Sequence, residues 1–234
     1  LLSFLLSFSG RLLAQSEERR VRIAEAGLGV GDHQGALAFS WAHHWKIGAR
    51  QRFHIGLGAR FSSFVAQNKY YITAPAQLTS GDTGPQVIFQ ENIPENIDSL
   101  LLNSPWVNSL NATIHLTWSF SDHVQAGFNI DLVGASFGSR ERGNYINGTT
   151  GQFVDASPTV FNLLLVSDND MGSLNSELWA RCFVNDRWAL KGGAMFLFTE
   201  YTTESEVQQY PEPNDRFRLK SLMATLGVSY RLSE

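Results

Sequence analysis

The chain has 234 residues and a net charge of −4, and its 17% charged content lies below the roughly 25% usual for soluble domains. The charge offers no basic field for nucleic acid, and no GxxxxGK[ST] or GxGxxG loop is present. A single cysteine, Cys182, excludes an intrachain disulfide and a multi-cysteine zinc site. Its place in the strand-like LWARCFV gives it the role of a small apolar residue.

The first segment, 1–14 (LLSFLLSFSGRLLA), is apolar, too short to span a bilayer as a helix, and followed by the polar QSEERR. That pattern predicts the remnant of a secretory signal peptide over 1–14, ahead of one domain over 15–234. No later run approaches the length of a transmembrane helix.

From there the chain alternates apolar with polar residues in eight segments: 20–30, 36–47, 52–66, 110–120, 124–138, 173–184, 188–201 and 218–232. In LNATIHLTWSF (110–120) every second residue is apolar, so the predicted strand has two unlike faces. The predicted strands run to about ten to fifteen residues, whereas soluble strands average nearer five or six and membrane strands need about nine to eleven. The tight turns GARQ, SDH and NDR follow the second, fourth and sixth strands, and long connections follow the third, fifth and seventh. In an up-and-down barrel this gives one rim of short turns and one of long loops, with the short GDHQ as an exception. The segments YYITAPAQL (70–78) and QVIFQEN (86–92) could supply an extra hairpin, making ten strands.

Strand parity separates a bulky face from a small, polar one. The first holds Phe39, Trp41, Leu57, Leu116, Phe128, Leu178, Leu190 and Leu226; the second holds glycines with Glu25, His54, Arg60, His115, Asp131, Glu177, Arg181 and Lys191. An eight-stranded interior is just wide enough for side chains to fill. The second set suits it, because its three carboxylates and three cations could pair there, as buried charges require. Facing lipid instead, each charge would cost about 2–4 kcal/mol near the midplane. At the short-turn end of the bulky face, Trp45, Phe53, Trp118, Phe120, Trp188 and Tyr230 form an expected aromatic girdle. Phe61, Phe137, Phe198, Tyr201 and Phe217 are expected to form a second at the other end.

On these residues the chain over about 20–232 resembles the small outer-membrane β-barrel proteins of diderm, Gram-negative bacteria, the class that includes OmpA-like and OmpX-like barrels. The LLAQ junction resembles signal junctions common in Bacteroidota. The resemblance implies an all-β, up-and-down antiparallel transmembrane barrel of the cell envelope, with short turns in the periplasm and long loops outside. Outer-membrane lipid and lipopolysaccharide would be its surroundings. The last strand (Leu222, Ala224, Leu226, Val228, Tyr230, Leu232) resembles the terminal strand read by the barrel-insertion machinery, although it ends in RLSE rather than on an aromatic.

The histidines make no metal site by pattern. His43 and His44 point to opposite faces, and His43 falls between Trp41 and Trp45 at the expected interface. His54, His115 and Asp131 face inward on three consecutive strands, where lumen hydrogen bonding outweighs a metal or catalytic role. Both sequons, at Asn111 and Asn147, are read as chance matches. The acidic stretches TESEVQQYPEPND (203–215) and ENIPENIDS (91–99) are expected as solvated faces, able to meet an extracellular protein or bridging divalent cations. The apolar VIF (87–89) and VFNLLLV (160–166) are expected to extend strands or cover the mouth. The expected function is a filled-lumen envelope barrel acting structurally or through its loops, with no cofactor and no nucleic acid. The alternatives are a narrow porin-like pore or small-ligand transporter, and an outer-membrane hydrolase.

Overall fold

A computed structural model describes residues 20–80, 93–148, 150–165 and 169–232. The signal-like stretch, VIF and QVIFQEN lie outside the described residues. The chain is all-β. Its strands are β1 (Arg20–Gly31), β2 (Gln34–Ile47), β3 (Phe53–Ala66), β4 (Lys69–Thr73), β5 (Ser99–Leu102), β6 (Trp106–Ser119), β7 (Val124–Gly138), β8 (Glu141–Asn147), β9 (Thr150–Pro158), β10 (Phe161–Leu163), β11 (Leu174–Phe183), β12 (Trp188–Thr203) and β13 (Arg216–Leu232). A short helix α1 (Ala76–Ser80) and a 3-10 turn (Pro94–Asn96) separate β4 from β5.

The eight predicted segments are the eight long strands. Their antiparallel ladder runs β1–β2–β3–β6–β7–β11–β12–β13 and returns to β1. Alternation dictates this arrangement, since each strand has one face that must be hidden. In β6, Asn111, Thr113, His115 and Thr117 are buried, while Leu110, Leu116 and Trp118 are exposed on the outside of the ring. Among the described ladders of this ring, one carries a register shift. A bulge shifts the β6–β7 register, pairing Ala112 with Val133 but Thr113 with Asp131. Leu132 is the extra residue, so Asp131 points inward below it and Ser136 above it, while Val133 and Phe137 stay outward.

The long connections build a second ring. β13 continues beyond the end of β1 and there pairs with β4; the ladder proceeds β4–β5–β8–β9–β12 and closes on β13 again. Its interior is apolar, formed by Tyr71, Leu100, Leu102, Tyr145, Ala156, Tyr201 and Phe217. Tyr201 and Phe217, expected in an outward girdle, are therefore fully buried: both sit on inward parity and fill this core. YYITAPAQL likewise does not widen the ring of eight. It supplies β4, which bridges β13 and β5. Of VFNLLLV, residues 161–163 form β10 and extend the sheet along β7.

The two acidic loops are less solvated than expected. Glu204, Glu206 and Glu212 are exposed, but Gln208 is fully buried, accepting from Thr73 Oγ1 at 2.9 Å and donating to the Asn96 carbonyl at 2.8 Å. Asp98 is buried and accepts hydrogen bonds from Tyr145 Oη at 2.5 Å and Asn147 Nδ2 at 3.1 Å. At the join of the two rings, buried Glu200 accepts from Arg216 Nε at 2.8 Å and Arg218 Nη2 at 2.9 Å, and Gly172 N–H donates to it at 3.2 Å.

Burial, with the bond to Asp98, pushes the Tyr145 phenol up to about 12, and burial raises Tyr71 as well. A phenol whose pKa rises on folding contributes stability below its ordinary value of 10, lost as pH climbs through 12. A tyrosinate absorbance titration is expected to show a late step, shared with Tyr71 and Tyr201, that is smaller by one phenol in Tyr145→Phe; a late step of unchanged amplitude would contradict it.

Candidate functional site

The inner face of the larger ring brings together seven of the eight predicted lumen residues in one network. Glycines and short polar side chains at inward positions leave room for the long charged ones, which reach across the lumen. Arg60 on β3 donates from Nε to Asp131 Oδ1 at 2.9 Å, from Nη1 to Asn129 Oδ1 at 2.5 Å and from Nη2 to the Asn175 carbonyl at 2.6 Å. The second oxygen of Asp131 accepts from Asn111 Nδ2 at 2.7 Å and from the Asn175 N–H at 2.9 Å. Asn129 Nδ2 passes the chain to Glu177 at 3.2 Å. Lys191 then donates to Glu177 at 2.7 Å and to Glu25 at 2.8 Å, and Arg181 Nη1 donates to Glu25 at 2.9 Å. Ser229 on β13 and Ser40 on β2 also donate to Glu25. With Asn111, every strand of the ring contributes a member.

Each buried charge has an opposite partner, which keeps the burial of six of them tolerable. Arg181 and Lys191 also lie over the Trp179 ring, at 4.6 and 5.4 Å from its centroid. Trp179 inside the lumen is a departure from the small, polar interior expected. Gly127 makes the room: a Cβ there would lie 2.5 Å from the indole. Phe183 is buried on the same face. Between Glu25, Arg60, Glu177 and Lys191 a void of about 20 Å³ remains, room for about one water molecule.

The histidines sit nearer the short-turn end. Arg181 Nε donates to Gln125 Oε1 at 2.8 Å, Gln125 Nε2 to Ser119 Oγ at 2.9 Å, and Ser119 lies 3.4 Å from His54 Nε2, so His54 ends the chain. His115 stands apart from it. It registers with Gly56 and Asn129, below the Arg60–Asp131 pair rather than between them, bonds Thr113 Oγ1 at 2.9 Å and packs edge-on to His44 at 5.4 Å. The Ser119–His54 contact has no counterpart in the sequence pattern. It is not arranged as a nucleophile and base, because the same Nε2 faces the Gln51 carbonyl at 3.1 Å, which a proton on that nitrogen satisfies. Among the described residues no group of three or more His, Cys, Asp or Glu is placed to hold a metal ion.

Outside the ring, the six girdle residues gather at the short-turn end. Phe53 and Trp118 have ring centroids 6.4 Å apart, Trp188 and Tyr230 4.7 Å, and His43 lies 4.6 Å from Trp45. Cys182 is free and on the outer face. Below the network the lumen opens into a cavity of about 810 Å³ at the short turns, lined by Lys46, Arg50, Arg52 and Arg231 among others. These cations were not singled out from the sequence, because they lie on separate strand ends that only ring closure brings together.

No protein-family model matches the chain, and no curated protein matches it. Solved outer-membrane proteins are similar in structure. Neisserial surface protein A (NspA) has a TM-score of 0.41 and 8% identity, covering 91% of this chain and 96% of its own. A major outer membrane protein from Thermus thermophilus has 0.39 and 15%, covering 91% and 99%. Ail, the attachment invasion locus protein of Yersinia pestis, solved with the heparin analogue sucrose octasulfate, has 0.35 and 9%, covering 91% and 97%. At these scores the likeness is one of general form, and function rests on the geometry of this chain.

Proposed function

We propose that the larger ring is an eight-stranded barrel spanning the bacterial outer membrane, with a filled, non-conducting lumen and no catalytic role. In this reading the short turns face the periplasm. The second ring stands outside the cell as a platform for contact with other surface molecules, while the outer leaflet of lipopolysaccharide surrounds the upper wall.

The observation that carries this reading is the inversion of ordinary burial. Leu28, Phe39, Trp41, Leu57, Leu110, Phe128, Leu178, Leu190 and Leu226 are exposed on the ring's outer wall, while all three carboxylates and three cations of the network are inside. Soluble monomers rarely expose apolar patches larger than a few hundred Å². A belt continuing around all eight strands, edged by aromatic side chains, suits hydrocarbon. The signal-like 1–14 and the alternating last strand are what export and barrel insertion would use. The filled lumen is supported by the network, where the void between Glu25, Arg60, Glu177 and Lys191 has room for about one water molecule, too little for a pore or transporter path at that level.

Fractionation tests the location, and planar bilayers test the lumen. Extraction only with detergent and faster gel migration before boiling are expected, with no stable single channels. Solubility without detergent would overturn the membrane reading, and steady channels would overturn the filled lumen.

A further inference from the structure

The cavity at the short-turn end is not explained by a structural plug. Its wall carries four cations, Lys46, Arg50, Arg52 and Arg231, against one carboxylate, Asp122. Among the described residues no ion pair engages any of the four. This contrasts with the lumen above, where every cation has a carboxylate. Unpaired like charges around one concavity repel each other, so the arrangement favours a bound anion.

The cavity also has a built inner wall. Buried His54 and Gln125 line it, and Gln125 is held by Ser119 below and Arg181 above. Arg231 is inward-facing and seated over the Phe183 ring, 4.3 Å from its centroid, which fixes the guanidinium at the mouth. Its Nε is buried without a hydrogen-bond partner. Guanidinium groups held in place with free donors match the oxygens of phosphate better than a diffuse positive surface does.

We propose that this mouth binds a phosphate-bearing anion, with Arg231, Arg52 and Lys46 as its principal contacts. A soluble phosphate compound and the headgroup of an anionic phospholipid present the same chemistry. Neither the cavity nor its charges depend on what surrounds the outer wall, so the site stands apart from the membrane assignment.

Pyrophosphate is the probe, titrated calorimetrically into the whole protein in nanodiscs of zwitterionic lipid, or in buffer alone if the protein proves soluble. Saturable binding of one equivalent is expected, with Arg231→Gln and Arg52→Gln each weakening it about tenfold, the worth of one charge-assisted hydrogen bond. Arg140→Gln, at the opposite end, should leave it unchanged. Gel migration of each variant before boiling reports its fold independently, and Arg52 lies on an exposed turn where substitution leaves the ring intact. Nanodiscs containing phosphatidylglycerol separate the sources. Loss of pyrophosphate binding there assigns the site to a headgroup, and persistence assigns it to a soluble phosphate. Absence of saturable binding, binding matched by chloride at equal ionic strength, or full affinity in an Arg231→Gln/Arg52→Gln double variant would overturn the proposal.

Discussion

Leu226→Arg is expected to destabilise the folded protein in lipid by about 2–4 kcal/mol. Leu226 is the most exposed large apolar side chain on the wall, at 76%, and lies between Tyr230 of the girdle and the exposed Lys220 on the same face of β13. That places it near the middle of the hydrocarbon layer in the proposed orientation. The size of the effect is what makes the experiment decisive. In water, a charge at so exposed a position changes stability by about 0.5 kcal/mol at most. Denaturant-induced unfolding in vesicles, comparing wild type, Leu226→Arg and Leu226→Ala, measures the difference. An arginine variant as stable as the alanine variant would remove the case for lipid around this wall.

Asp131→Ala should cost about 3–5 kcal/mol, because it leaves the Arg60 guanidinium buried without its carboxylate. Arg60 and Asp131 are 2% and 0% exposed, so water cannot take over the lost partner. The Asn111 amide and the Asn175 N–H lose their acceptor in the same step. Replacing both charges, as Arg60→Met with Asp131→Leu, should recover only part of the loss: the unpaired buried guanidinium is removed, but the Asn175 N–H still lacks its acceptor and Asn129 Oδ1 its donor. The midpoint and slope of the same unfolding curves report both. A single variant within about 0.5 kcal/mol of wild type would mean that the pair is not buried as described.

Much of the larger ring was legible in the sequence because its information is local. Alternation in LNATIHLTWSF or ALAFSWAHHWKI fixes which side chains share a face, and the tight turns fix which strands are neighbours. The charged lumen set followed from volume and charge balance alone, and Glu25, Glu177, Arg181 and Lys191 do meet. What stayed hidden depends on long-range placement. The second ring needs Ile72 beside Arg218 and Ser157 beside Thr202, pairings that no local periodicity encodes. Trp179 was hidden because its bulk argues against the lumen until Gly127 is known to face it across the ladder. The bulge at Leu132 was hidden because an extra residue in VQAGFNIDLVGASFG reads as a lapse in alternation. The cationic mouth is assembled from β2, the β2–β3 turn and β13, and only the closed ladder brings these into one wall.

β13 pairs with β12 along one edge and with β1 and then β4 along the other. One strand therefore locks two rings, and neither can be opened at that seam without baring the edge of the other. The amides of the small upper ring should then exchange with solvent hydrogen in step with those of the lower wall, through one shared opening event rather than by separate fraying. An exterior platform of short strands would ordinarily be the first part of such a molecule to loosen; here it inherits the kinetic persistence of the wall beneath it.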